Sequence, residues 1–146
     1  MGLAEVSEDC EVGQVSLDSI KQRILLVDDE QYIVNALAHM LRSAGYHTDV
    51  ACNGQEALDK VSRGDYDLII SDVKMPVMDG EAFYQELRDS RPSLSERIVF
   101  CTADMANPAT QRFLKSSGVP FILKPFRLRT VLDVVSLRLA KMRIRA

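Results

Sequence analysis

Short apolar segments that alternate with amphipathic ones predict an α/β fold, a doubly wound five-stranded parallel sheet of strand order 2-1-3-4-5. Three observations carry this. Strand-length and helix-length patterns alternate five times from Arg23 onward. The first, third and fourth strand segments are nearly continuous apolar runs, as expected for strands covered on both faces. The second is mixed and the fifth contains Pro120, so those two belong at the edges.

Strand one is residues 23–28. Ile33, Leu37, Met40, Leu41 and Ala44 then recur at helical spacing, and Gly45 supplies the stop. Strand two is residues 46–52, with Thr, Asp and His mixed into it. Asn53 can cap the next helix with Glu56 three residues on, like a capping box, leading into Ala57, Leu58 and Val61. Strand three is residues 66–72, followed by a loop that Pro76 and Gly80 shape. A helix from about Glu81 carries Phe83 and Leu87 and ends near Arg91 and Pro92. Strand four is residues 97–102. Asn107 caps, and Pro108 opens, a helix that Gly118 closes. Strand five is residues 119–123. Leu128, Val131, Leu132, Val135, Leu139 and Met142 form the stripe of a last helix.

A chain of 146 residues fits one domain with one core. With 47% hydrophobic and 27% charged residues the balance is globular, and a net charge of −3 gives no reason to expect direct nucleic-acid binding. No apolar run approaches the roughly 20 residues that span a bilayer, so no membrane contact is expected. There is no basic segment followed by an apolar core at the start, hence no secretory signal. Cys10, Cys52 and Cys101 are too far apart for a zinc site and read as reduced thiols of a cytoplasmic protein. Residues 1–20, with Glu5, Glu8, Asp9, Glu11 and Asp18 among small residues, read as a flexible leader or linker, and residues 21–146 as the domain.

In such sheets, ligands bind at the carboxyl ends of the strands, near the point where the order reverses. Strand one ends in Asp28, Asp29 and Glu30, strand three in Asp72, strand four in Thr102, and strand five in Lys124. Carboxylates drawn together repel unless a cation neutralises them. The candidate ligands are all oxygen, which favours a hard ion such as Mg²⁺. Lys124 adds a point charge and Thr102 a hydroxyl, both suited to a phosphoryl group. A carboxylate beside these groups is a credible nucleophile for an aspartyl phosphate. Each feature alone has an ordinary explanation: acids after a strand often serve the next helix's first turn, and a lone lysine is usually solvated. Their coincidence at four strand ends outweighs those explanations.

At this point the chain resembles a family. Residues 25–30 (Leu-Leu-Val-Asp-Asp-Glu), 72–80 (Asp-Val-Lys-Met-Pro-Val-Met-Asp-Gly), 101–103 (Cys-Thr-Ala) and 121–126 (Phe-Ile-Leu-Lys-Pro-Phe) are similar, in order, to the motifs of two-component response-regulator receiver domains. The likeness spans about residues 23–142 and implies a flavodoxin-like (βα)5 fold like that of the chemotaxis receiver. By this resemblance Asp72 is the phosphoacceptor and Asp28, Asp29, Asp72 and the backbone carbonyl of Lys74 hold Mg²⁺. Thr102 and Lys124 contact the phosphoryl group, and Thr102 and Phe121 form the switch. The implied donor is a histidine kinase or a histidine phosphotransfer domain. The implied role is signalling, not turnover, and the chain resembles receivers fused behind sensor kinases. A cis bond between Lys124 and Pro125 is expected, since X-Pro bonds adopt cis at a cost of only about 0.5–1 kcal/mol. The helix at 107–117, strand five and the last helix would bind a partner or a second copy.

Two other readings compete. A flavodoxin that binds flavin needs a Ser/Thr/Gly-rich phosphate loop after strand one, where this chain has three acids. A Mg²⁺-dependent hydrolase with an aspartyl-phosphate intermediate would carry its nucleophile on strand one, whereas Asp72 lies on strand three. His39 and His47 lie off the rim, Met75 and Met78 read as packing, and Arg138, Lys141, Arg143 and Arg145 as a helix end that complements the dipole.

Overall fold

Alternate residues of a strand point to opposite faces of the sheet, and here both faces are apolar and covered. The computed structural model describes residues 21–145, with side chains through Met142. The expected leader, residues 1–20, lies outside the described residues. The elements are β1 Arg23–Val27, α1 Gln31–Ser43, β2 His47–Ala51, α2 Gly54–Arg63, β3 Leu68–Asp72 and α3 Gly80–Ser90. A single helical turn at Pro92–Ser95 follows, then β4 Ile98–Thr102, α4 Pro108–Ser117, β5 Phe121–Leu123 and α5 Leu128–Arg145. The five strands form one parallel sheet in the order β2-β1-β3-β4-β5.

Leu25, Val27, Ile69, Ile98 and Phe100 face one side, where Ala57 and Val61 of α2, Phe83 and Leu87 of α3, and Phe113 and Leu114 of α4 cover them. Ile24, Leu26, Leu68, Ile70, Val99 and Cys101 face the other, under Val34, Leu37 and Leu41 of α1 and Val131, Val135 and Leu139 of α5. On the first side Tyr84, Phe100 and Phe113 meet edge to face, with ring centroids 5.2 to 6.2 Å apart. Four of the five residues of β1 and β3 are buried, and all five of β4, whereas β2 buries only Thr48 and Ala51 and β5 only Ile122. The expected placing of central and edge strands therefore holds.

The caps are as the sequence suggests, with adjustments. Asn53 accepts the Glu56 N–H at 2.8 Å, but the Glu56 carboxylate reaches back to the N–H of Cys52 at 2.6 Å, one residue before the cap. Asn107 accepts from Ala109 and Thr110, Pro108 opens α4, and Gly118 ends it at φ 69°, a left-handed conformation that glycine adopts freely. The apolar stripe of α1 is centred on Val34, Leu37, Ala38 and Leu41, and Ile33 and Met40 lie at its margin. Leu128 is 41% exposed, so the stripe of the last helix begins at Val131. β5 keeps only three residues because Pro120 has no N–H. Its carbonyl still accepts from Phe100 at 3.0 Å. Among the described residues, no helix is long and apolar enough to cross a membrane.

At the far end of the sheet from the carboxyl rim, the buried Tyr66 donates its hydroxyl to Asp49 at 2.7 Å, and the Arg23 guanidinium lies over the Tyr66 ring. Burial alone would raise the Asp49 pKa, but Tyr66, His47 and Arg23 together lower it. A carboxyl depressed in the fold stabilises above its unfolded pKa, near 3.9, and that stabilisation is lost as pH falls through the folded value. Tyr66→Phe should therefore cost about 1–2 kcal/mol at neutral pH and make stability less steep with pH below about 4. Urea midpoints from pH 7 to pH 3 check this.

Candidate functional site

The ladder of the sheet continues one residue past three strands and so fixes the rim. The Asp28 N–H donates to Ala51 at 3.0 Å, that of Val73 to Cys101 at 3.2 Å, and that of Lys124 to Thr102 at 2.8 Å. Asp28, Asp72 and Lys124 are thus held by backbone before any side chain interacts. Asp28 follows β1, continuing its ladder by one residue.

The Lys124 ammonium sits at the centre. It lies 3.1 Å from Asp28 Oδ2, 3.2 Å from Asp72 Oδ2 and 3.2 Å from Glu30 Oε1. The second oxygen of Asp28 accepts the Glu30 N–H at 3.0 Å, and that of Asp72 accepts the Val73 N–H at 2.9 Å. Both acids are therefore fixed about their side-chain torsions. The Lys124–Pro125 bond is cis, as expected.

Carboxylate oxygens of Asp28, Asp29 and Asp72 all come within 4.8 Å of one another. Burial, then the neighbouring Asp28 charge, push Asp72 up to about 6 despite Lys124. Burial would lower the Lys124 pKa, but Asp72 and Asp28 outweigh it and raise the value, so the ammonium stays charged. One ammonium does not neutralise the cluster. An all-oxygen donor set with excess negative charge fits a hard divalent cation such as Mg²⁺.

Thr102 is 1% exposed at the end of β4, and its hydroxyl oxygen accepts the Asp104 N–H at 3.0 Å. Lys74 is exposed, two residues past Asp72 in the same loop. Phe121 opens β5, paired in register with Phe100 and 42% exposed. His39 and His47 are exposed, on α1 and at the start of β2. Met75 and Met78 pack against the core. Gly80 lies close to the Asp72 carbonyl, where a Cβ would meet it and come within 2.9 Å of the Phe100 ring, so glycine is required there.

Sequence reasoning placed Glu30 at the rim but missed its contact with Lys124. Neither did it find Asp79, which caps α3 by accepting the Ala82 N–H at 2.9 Å. The signal was available: an Asp immediately before the first helical residue.

The profile of the response regulator receiver domain matches residues 24–136. The chain is 30% identical over 115 residues to the chemotaxis protein CheY of Halobacterium salinarum, covering 79% of this chain and 94% of that protein. It is 35% identical over 122 residues to hybrid signal transduction histidine kinase B of Dictyostelium discoideum, which is 76% of this chain and 6% of the kinase. It spans about half the length of the curated transcriptional regulators it matches. The response regulator protein TrrA of Thermotoga maritima, solved in complex with Mg²⁺ and BeF, superposes with a TM-score of 0.68 at 33% identity, over 80% of this chain and 98% of that one.

A carboxyl whose folded pKa lies above its unfolded value stabilises below the unfolded value, near 3.9, and loses that stabilisation as pH rises through the folded one, about 6. At neutral pH in EDTA, Asp72→Asn should therefore stabilise the protein, by about 1–3 kcal/mol, and the gain should shrink as pH falls through 6. Thermal midpoints from pH 4 to pH 8 measure it. A destabilised variant at pH 7.5 would contradict this account of the cluster.

Proposed function

We propose that this chain, which belongs to the response regulator receiver domain family, accepts a phosphoryl group on Asp72 from a phosphohistidine of a histidine kinase or a histidine phosphotransfer domain. The family is that of the receiver domains of two-component systems, a signalling domain, and the hydrolase reading is not favoured. The observation that carries the proposal is the Lys124 ammonium fixed between Asp28 and Asp72, two acids at the carboxyl ends of neighbouring strands.

The Asp72 carboxylate attacks phosphorus, a P–O bond forms as the P–N bond breaks, and the imidazole leaves with the bonding pair. The chain's part is positioning and charge neutralisation. The N–H of Val73 and the Lys124 ammonium hold the carboxylate in place, and Lys124 with the Thr102 hydroxyl receives the phosphoryl oxygens. Mg²⁺ held by Asp28, Asp29, Asp72 and the Lys74 carbonyl would neutralise the acids and draw charge from the transferring group. These same groups let the chain assist its own phosphorylation and dephosphorylation. A groove of about 480 Å³ lined by Tyr32, Ile33, Ala103, Lys124 and Phe126 opens beside the acids and suits the donor's apolar surface. The free thiols of Cys52 and Cys101 suit a reducing, cytoplasmic compartment.

Phosphorylation is reported through Thr102 and Phe121. When the Thr102 hydroxyl turns to the phosphoryl group it leaves the Asp104 N–H, and Phe121 takes the space it vacates. Phe121, Leu123 and Leu137, all more than 40% exposed, offer apolar contacts on the face of α4, β5 and α5 for a partner or a second copy.

Acetyl phosphate with Mg²⁺ should add one phosphoryl group, mapped to Asp72 by intact mass and peptide analysis. Labelling that survives Asp72→Asn, or that proceeds in EDTA, would sink the proposal. Beryllofluoride with Mg²⁺ should shift backbone amide signals across residues 105–126. Changes confined to the acidic rim would refute the switch.

A further inference from the structure

We infer that Glu30 is a positioning residue for Lys124: in the unphosphorylated site its carboxylate holds the ammonium hydrogen that a phosphoryl oxygen later takes over. The inference rests on the phosphoacceptor reading and deepens it. An ammonium has three N–H donors. Here three carboxylates, Asp28, Glu30 and Asp72, lie within 3.1 to 3.2 Å of Nζ and account for all three. A phosphoryl oxygen can reach Lys124 only by displacing one of them.

The three are not equivalent. The side chains of Asp28 and Asp72 are 9% and 12% exposed, and the second oxygen of each is tied to a backbone N–H. The Glu30 side chain is 57% exposed. Water can solvate its carboxylate as it leaves, whereas either nearly buried aspartate would lose its partner with little solvent to replace it. Glu30 is therefore the partner that yields.

A second observation points the same way. Glu30 stands at the N-cap of α1, yet its side chain makes no capping hydrogen bond. Aspartate is among the strongest N-cap residues. Glutamate here, with one more methylene, instead carries its carboxylate over to Lys124. The residue thus acts as a resident anion, keeping Lys124 pointed into the crevice and competing with the incoming group.

The test compares the full chain with its Glu30→Asp and Glu30→Gln variants, titrating beryllofluoride at saturating Mg²⁺ and recording the Lys124 ¹⁵Nζ resonance without metal. Both variants should bind beryllofluoride tighter by roughly twofold to fivefold, the size of an exposed ion pair. Both should move the Lys124 resonance, with the Glu30→Asp thermal midpoint unchanged or higher. Glu30→Asp keeps the charge and loses the reach, so long-range repulsion alone would tighten binding in Glu30→Gln only, and that result overturns the inference. So would unchanged or weaker binding in both. A wild-type chain that binds no beryllofluoride would instead overturn the phosphoacceptor reading beneath it, a failure told apart because no variant is needed to see it.

Discussion

The rim depends on one ammonium. Four acids, Asp28, Asp29, Glu30 and Asp72, gather where β1 and β3 end, and bringing their charges together is costly, most of all for the nearly buried Asp28 and Asp72. Lys124 offsets part of that cost from β5, two strands away from β3, so the contact also ties the sheet's edge to its centre. What it leaves uncompensated shows in Asp72, pushed up to about 6. A fold built for stability alone would not keep such a cluster, and strained charge of this kind marks functional sites. The excess negative charge makes room for a divalent cation, and the lone lysine beside it for an anion.

Much of this was legible in the sequence because each signal was local and repeated. Continuous apolar runs identified β1, β3 and β4 as central, while the mixed β2 and Pro120 identified the edges. Strand-end polarity then gave Asp28, Asp72, Thr102 and Lys124 without reference to contacts. What escaped was tertiary. The Glu30 side chain joins Lys124 across 94 residues, and no spacing rule announces that. The single turn at Pro92–Ser95 was too short to carry a period. In α1 the small Val34 and Ala38 sit at the centre of the buried stripe, where the larger Ile33 and Met40 dominate the apolar pattern of the sequence.

The loop after Asp72 shows how tightly that residue is set. The Gly54 N–H at the start of α2 donates to the Met78 carbonyl at 2.8 Å, and the Gly80 N–H donates to the Val73 carbonyl at 2.8 Å. Both glycines sit where a Cβ would collide with backbone. Between them Val77 adopts φ 67°, a region that β-branched residues avoid. The strain, of order 1–2 kcal/mol, persists because the two clamps over-determine the loop. Loop geometry is thus fixed from outside the loop, and the Lys74 backbone is carried with it.

β5 is the element best suited to report what happens at Asp72. It has three residues, among the described residues pairs with β4 alone, and exposes both Phe121 and Leu123, while only Ile122 of the three is buried. Elements with so few buried contacts are the first to adjust. Lys124 follows this strand directly and Phe121 opens it, so the proposed anion-binding group and the proposed switch aromatic share one short segment. Thr102 pairs with Leu123 at the same end. A ligand shifts such an equilibrium only by its differential contacts with the two states. Under the proposed function Lys124 and Thr102 would supply that difference, since both have partners here that a phosphoryl oxygen would replace. The proposed readout then needs no long pathway, since Phe121 opens the same short strand that Lys124 follows.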